Sequence, residues 1–259
     1  FTNLSLDHLD YHQTIEQYFK EKLKLFNFNK KNGSSVVMVD SEYGQKISYL
    51  KPFINQVSLK DKNAKYFCSN VELNVDGIKA SMIFESKKIN IESSLIGGFN
   101  LENIILAAAI SNELNISENI IEKGIKTCSS IDGRMQLLKV SGDFKIMLDY
   151  GHTPDAYLKV LKAVRENYKL PIKVLFGAGG GRDHSKRSKM AKAVEEYSSE
   201  CYLAPDNPRF ENIDRINSDV IKGFSSNNYH CFDDREEALK VALSNLKPDE
   251  ILIIFGKGN

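Results

Sequence analysis

The chain has 259 residues, with 35 Lys and Arg against 34 Asp and Glu. That length suits two domains of ordinary size, and the near-neutral balance leaves no electrostatic footprint for nucleic acid or an anionic membrane, so any polyanion must be met locally. The cysteines Cys68, Cys128, Cys201 and Cys231 form no CxxC pair, which argues against a zinc site or a disulfide scaffold. No apolar run approaches the ~18 residues that span a bilayer, and no charged-then-apolar leader is present. The expectation is a soluble, cytoplasmic protein, a monomer with no nucleic-acid or membrane partner.

In chain order, residues 1–4 read as the end of a strand, and Ile15, Phe19, Leu23 and Phe26 make a helical stripe. A short strand is expected at 35–39, a strand pair at 79–84 and 88–92, and helices at 101–114 and 117–127. Asp132-Gly133 favours a turn. It is the expected boundary between a first domain, 1–132, and a second, 133–259. From there apolar runs at 145–149, 173–176, 201–204, 230–232 and 251–255 alternate with amphipathic stretches, the pattern of repeated βα units. Tyr157, Leu161, Val164 and Tyr168 mark one buried helix face, Met190, Ala193, Val194 and Tyr197 a second, and Ile213, Ile216, Val220 and Phe224 a third. Pro154 suits the first turn of its helix and Asp234 the cap of the last one. Five strands and four crossover helices predict a Rossmann-like parallel sheet. Both ends of the chain fall beside strands, so a piece of a longer polypeptide is expected.

Four stretches lie where such a sheet places ligands, after the carboxyl ends of its strands. They are Asp149-Tyr150-Gly151-His152-Thr153-Pro154, Gly177-Ala178-Gly179-Gly180-Gly181-Arg182-Asp183, Asp206-Asn207-Pro208-Arg209 and Gly256-Lys257-Gly258. The glycine-rich loop predicts backbone N–H groups facing an anion, with a helix N-terminus behind them; it serves equally as a tight packing turn. Lys186 and Arg187 either add positive charge there or form a solvated basic helix start, which opposes the helix dipole. Asp149 can take ribose hydroxyls and Tyr150 can face adenine, or the stretch is a capping turn. Asn100 and Asn103 read as an N-cap and a polar first-turn position, and Lys20, Lys22 and Lys24 as a solvated face.

In order and approximate spacing the four stretches resemble the Mur ligases, in the branch that adds meso-diaminopimelate to a peptidoglycan precursor, and residues 1–26 follow that family's pattern as well. The resemblance implies an α/β protein made of a C-terminal Rossmann-like amino-acid-binding domain and the second half of an α/β P-loop-type ATPase domain. It implies that Arg182, Asp206, Asn207 and Arg209, with Pro208 and Gly256, hold the diamino acid. It implies further that Asn100, Asn103, Arg134, Asp149, Tyr150 and His152 line the ATP site, Arg134 reaching phosphate as one of two catalytic residues. The other is Lys22, which as a carbamate would join His8 in binding Mg²⁺. An arginine at position 209 is the family's mark of diaminopimelate, whose second carboxylate it can grip bidentately, over lysine, which has only an ammonium there.

The implied function is an ATP-dependent amide ligase joining meso-diaminopimelate to UDP-N-acetylmuramoyl-L-alanyl-D-glutamate through an acyl phosphate. Alternatives are a folylpolyglutamate synthetase-like ligase and a non-catalytic nucleotide-binding module. The sequence has no GxxxxGK[ST] loop, and Asn259 stands where the family has histidine. The 259-residue chain by itself is therefore expected not to turn over ATP; a phosphate-release assay on the purified chain checks this, and ATP-dependent release overturns it.

Overall fold

The computed structural model describes residues 1–5, 7–28 and 33–256. Lys257, Gly258 and Asn259, including most of the last glycine motif, lie outside the described residues. The chain forms two units: Phe1–Ser5 with Tyr11–Ser129, and Leu6–Asp10 with Ser130–Asn259. The expected boundary at 132/133 therefore falls inside the second unit.

Helix α1 (Leu9–His12) spans the change of unit after Asp10, and α2 (Ile15–Leu23), in unit 1, is capped by the Thr14 hydroxyl. Strand β1 (Val36–Met38), helix α3 (Glu42–Leu50), and strands β2 (Asn55–Ser58), β3 (Tyr66–Asn74), β4 (Gly77–Phe84) and β5 (Lys87–Ser93) follow, then helices α4 (Gly98–Glu113) and α5 (Glu118–Thr127). The five strands form one sheet in sequence order, parallel from β1 to β3 and antiparallel from β3 to β5. Val57, Tyr66, Met82, Ile89 and Ile91 pack with Leu101 and Ile105 of α4 into its main core. Phe19, Leu23 and Phe26, three residues of the expected stripe, pack on a smaller cluster of Val37, Val39 and Ile47. Strands β2 and β3 and helix α3 carry no clear period and were not expected. The outer half of β3 is exposed and interrupted by a bulge between Ser69 and Glu72, which erases the two-residue alternation that marks a strand.

Unit 2 is the βα repeat. Strands β6 (Gln136–Leu137), β7 (Lys145–Asp149), β8 (Ile172–Phe176), β9 (Glu200–Leu203), β10 (Tyr229–Cys231) and β11 (Ile251–Phe255) alternate, after β7, with helices α6 (Pro154–Tyr168), α7 (Arg187–Glu195), α8 (Ile213–Ile221) and α9 (Arg235–Ser244). The sheet order is β10-β9-β8-β11-β7-β6. All five long-predicted strands are parallel, and the unexpected two-residue β6 adds an antiparallel edge beside β7. Helices cover both faces, so β8 and β11 are buried at every position, which is why they read as unbroken apolar runs. Thr153 caps α6 ahead of Pro154, and Asp234 caps α9 by accepting from Glu237 N at 2.8 Å, both as the sequence predicts. Among the described residues no helix is long and apolar enough to cross a membrane.

Two helix glycines behave oppositely. A Cβ on Gly44, in α3, would fall 1.8 Å from the Met38 carbonyl oxygen, whereas one on Gly124, in α5, meets nothing within 4 Å. Gly44→Ala is expected to destabilise unit 1 by about 1–3 kcal/mol through overpacking. Gly124→Ala is expected to stabilise it by roughly 0.5–1 kcal/mol through lower unfolded-chain entropy. Urea denaturation of the two variants measures both signs.

Candidate functional site

The parallel strands of unit 2 end together, so the turns after Asp149, Phe176, Leu203 and Phe255 gather at one edge of the sheet. There they enclose a cavity of about 260 Å³. Arg182, Lys186 and Arg209 bring positive charge to its wall, Asp7, Asp10 and Asp206 bring negative charge, and Tyr150, His152, His8, Asn207 and Gly256 complete its polar lining. Most of the residues singled out from sequence on this unit are thus brought together.

The glycine-rich loop is built for close approach. A Cβ on Gly177 would sit 1.8 Å from the Ala204 carbonyl oxygen, and one on Gly180 would sit 1.9 Å from that of Pro208. Pro208 therefore contributes its carbonyl as a packing surface and does not line the cavity. Gly180 N donates to Asn207 O at 2.9 Å and Gly181 N to Glu211 Oε2 at 3.0 Å. This corrects the expectation of a loop with its N–H groups turned to an anion: those two are spent on the neighbouring turn. Nor does a helix N-terminus follow directly, because a 3-10 turn at His184–Lys186 intervenes before α7.

Arg209 adopts the left-handed conformation, φ 52, which a non-glycine residue enters at a cost. Its backbone N–H donates to Asn207 Oδ1 at 3.1 Å, and its Nη1 donates to Gly180 O at 2.5 Å. The turn thus holds the guanidinium against the loop while using one of its five N–H donors. Arg182 reaches the same place: a Cβ on Gly179 would lie 3.2 Å from Arg209 Nη1 and 4.0 Å from Arg182 Cγ. Arg182 Nη1 stands 4.0 Å from Asp10 Oδ2. Gly256, with φ 76, lies over the Asp206 carboxyl, 3.7–3.9 Å from where its Cβ would be.

At the other side of the cavity Asp7 meets Lys186 Nζ at 3.2 Å, His8 Nε2 at 3.4 Å and His152 Nε2 at 3.5 Å. Burial works to raise the Asp7 carboxyl, but hydrogen bonding with His152 and the charge of Lys186 together hold it well below the usual carboxylate range. The same bond raises His152, against the opposing effect of its burial. Arg134 does not line the cavity; its guanidinium lies 5.1 Å from the centre of the Tyr150 ring. Asp149 is 4 % exposed and braces the turn, accepting from Gly151 N at 2.7 Å and Met135 N at 3.0 Å. Burial raises its carboxyl, and the two backbone donors and Arg134 work against that rise.

Three expected site residues belong to unit 1. Asn100 is not an N-cap: α4 starts earlier, after Gly97 at φ 91, and Asn100 is buried with Nδ2 donating to Ile96 O at 2.8 Å. Its Oδ1 has no hydrogen-bond partner among the described residues. Asn103 is exposed. Lys22 is only partly buried, short of the burial expected to prime it for carbamate formation, and its Nζ stands 4.9 Å from the Tyr18 ring centre. Among the described residues no group of three His, Cys, Asp or Glu side chains could hold a metal ion.

Three contributors went unrecognised in the sequence. Arg187, read as part of a basic helix start, is 1 % exposed and pairs bidentately with Glu211. Tyr157 is fully buried and stacks on Phe255 at 4.1 Å, and burial pushes its hydroxyl far up. Arg235 Nη2 donates to Phe255 O at 2.5 Å, tying α9 to the strand that ends in Gly256. A charged side chain in a polar run carries no mark that it is buried.

Residues 133–258 match the family described as Mur ligase, glutamate ligase domain, and residues 1–111 match the Mur ligase middle domain. The UDP-N-acetylmuramoyl-L-alanyl-D-glutamate–2,6-diaminopimelate ligase of Fusobacterium nucleatum is 39% identical over 265 residues, covering 100% of this chain and 53% of that protein. A solved structure of a ligase of the same name superposes with TM-score 0.58 at 30% identity, covering 99% of this chain and 54% of the other. Folylpolyglutamate synthase from Thermotoga maritima shares the fold, with TM-score 0.68 at 16% identity over 95% of this chain and 55% of the other. The chain spans about half the length of the curated relatives it matches.

The raised His152 imidazole makes a definite expectation. Its pairing with Asp7 contributes stability that is fully present below the ordinary value of 6.5 and is lost as pH rises through the raised value. In an NMR titration His152 should titrate above 6.5, and Asp7→Asn should bring it down; an unchanged titration in that variant contradicts the pairing.

Proposed function

The chain belongs to the Mur ligase family, and from that premise we propose that it is part of an ATP-dependent amide ligase that adds meso-diaminopimelate to UDP-N-acetylmuramoyl-L-alanyl-D-glutamate in peptidoglycan synthesis. The observation that carries the reading is that Arg182, Arg209 and Asp206 line one cavity. Two guanidiniums, that of Arg209 held by Gly180 O, and an acid suit a ligand with two carboxylates and two ammoniums. Arg209, already oriented by Asn207 and Gly180, takes the distal carboxylate with its remaining donors, and Asp206 takes an ammonium. Lysine has no acid to offer Arg209 and leaves that charge unanswered.

In the complete enzyme the glutamyl carboxylate attacks the γ-phosphorus of ATP and ADP leaves, giving an acyl phosphate. The diamino acid's amine, having lost its proton, attacks the carbonyl carbon, an amide forms and phosphate departs. The protein's part is to position the reactants and answer charge. On unit 2, ATP is assigned to Arg134, Asp149, Tyr150 and His152. Tyr150, 37 % exposed beside the Arg134 guanidinium, offers a face to the base, and Arg134 offers charge to phosphate. The Mg²⁺ assigned to His8 and a carbamate on Lys22 rests on the resemblance alone. No step is routed through the ion.

Calorimetry with meso-diaminopimelate tests the site directly. The parent chain should bind it, and Arg209→Ala should weaken binding by about ten- to a hundredfold, the worth of a charge-assisted hydrogen bond of ~1.5–3 kcal/mol. Unchanged affinity in that variant refutes the assignment. Competition by L-glutamate in place of meso-diaminopimelate would favour a folylpolyglutamate synthetase-like activity.

A further inference from the structure

Arg187 lies in the first turn of α7, 1 % exposed, outside the cavity lining. Its Nη1 and Nη2 donate to the two carboxylate oxygens of Glu211, each at 2.7 Å, and Nη2 also reaches Gly179 O at 3.2 Å. Nη1 has a second acceptor, Asp219 Oδ2, at 3.2 Å. Glu211 in turn accepts from Gly181 N, and its own backbone N–H donates to Pro208 O at 3.0 Å. One ion pair, with Arg187 buried and Glu211 largely covered, therefore touches the loop that carries Arg182 at Gly179 and Gly181 and closes the turn that carries Arg209.

We propose that Arg187 and Glu211 are positioning residues for the diacid site, which fix the placement of the loop that carries Arg182 and of the turn that carries Arg209. The inference rests on the diamino-acid reading above. The pair has two jobs that a plain structural brace lacks. It sets a distance, because its bonds to Gly179 O and Gly181 N bracket Gly180, whose carbonyl accepts from Arg209 Nη1. It also satisfies a charge: the Arg187 fork answers both oxygens of Glu211, whose side chain is largely covered. Lysine at 187 keeps the charge and loses the planar fork that spans both oxygens. Glutamine at 211 keeps the shape and loses the charge.

The test compares calorimetric affinities for meso-diaminopimelate and L-lysine, with thermal melts, in the parent, Arg187→Lys, Glu211→Gln, Arg209→Ala and Lys173→Met. Lys173 is buried at the opposite edge of the same sheet, with Glu200 Oε2 at 2.8 Å and Glu250 Oε2 at 3.2 Å. Its loss reports what lower stability alone does. Arg187→Lys and Glu211→Gln should each melt cooperatively and weaken meso-diaminopimelate binding by roughly tenfold or more, within the ~100-fold that about 1 Å of misplacement costs. Their preference for the diacid over lysine should fall, while Lys173→Met lowers the melting temperature and leaves that preference intact. If Arg209→Ala loses affinity but both pair variants keep the parent's preference, the positioning role is overturned and the diacid reading stands. No binding by the folded parent overturns both. Should Arg187→Lys fail to fold, Glu211→Gln decides alone.

Discussion

The carbonyl oxygens of Ala204 and Pro208 occupy the space that side chains at 177 and 180 would need. Strands β8 and β9 are neighbours in register, Phe176 beside Leu203, so the two turns leaving them emerge side by side. Only an absent side chain lets them touch backbone to backbone. Once in contact they share hydrogen bonds, Gly180 N to Asn207 O and Arg209 Nη1 to Gly180 O, and neither turn can move without the other. The left-handed backbone of Arg209 and Gly181 is held by this mutual support. Rigid placement matters because ordering a free loop costs ~1–2 kcal/mol per residue, and here folding has already met that cost before any ligand arrives.

Charge follows the same economy. The near-equal counts of acids and bases in the whole chain recur in the cavity, where Arg182, Lys186 and Arg209 face Asp7, Asp10 and Asp206. A wall of one sign would recruit simple anions. Alternating signs on fixed supports select by the spacing of charges within the ligand, which suits a zwitterion better than a phosphate or a plain acid.

The repeat in unit 2 was legible because strands buried on both faces leave unbroken apolar runs and their helices leave clear stripes. The motifs were legible because they sit at strand ends. What stayed hidden was long-range. Nothing in the run from Arg182 to Arg187 shows that Arg182 borders the cavity while Arg187 is sealed inside, since Arg187's partner Glu211 comes 24 residues later. The glycine loop invited an anion because its composition suits one; its geometry is decided by Ala204 and Pro208. Asn100 looked like a cap because the helix start at Gly98 carries no capping side chain. In unit 1 the bulged, half-exposed β3 hid a strand whose buried residues, Tyr66 and Cys68, are confined to its first turns of pleat.

Strand β11 follows β10 in the chain yet lies between β7 and β8, joined to both. Until it arrives, the ribosome has released β7, β8, β9 and β10 as two edges with a slot between them, each edge open to pairing with another chain. Partners about a hundred residues apart close slowly. Maturation of the unit therefore waits on β11, which seats Gly256 over Asp206, so a chain synthesised only as far as β10 has neither a closed sheet nor a finished cavity.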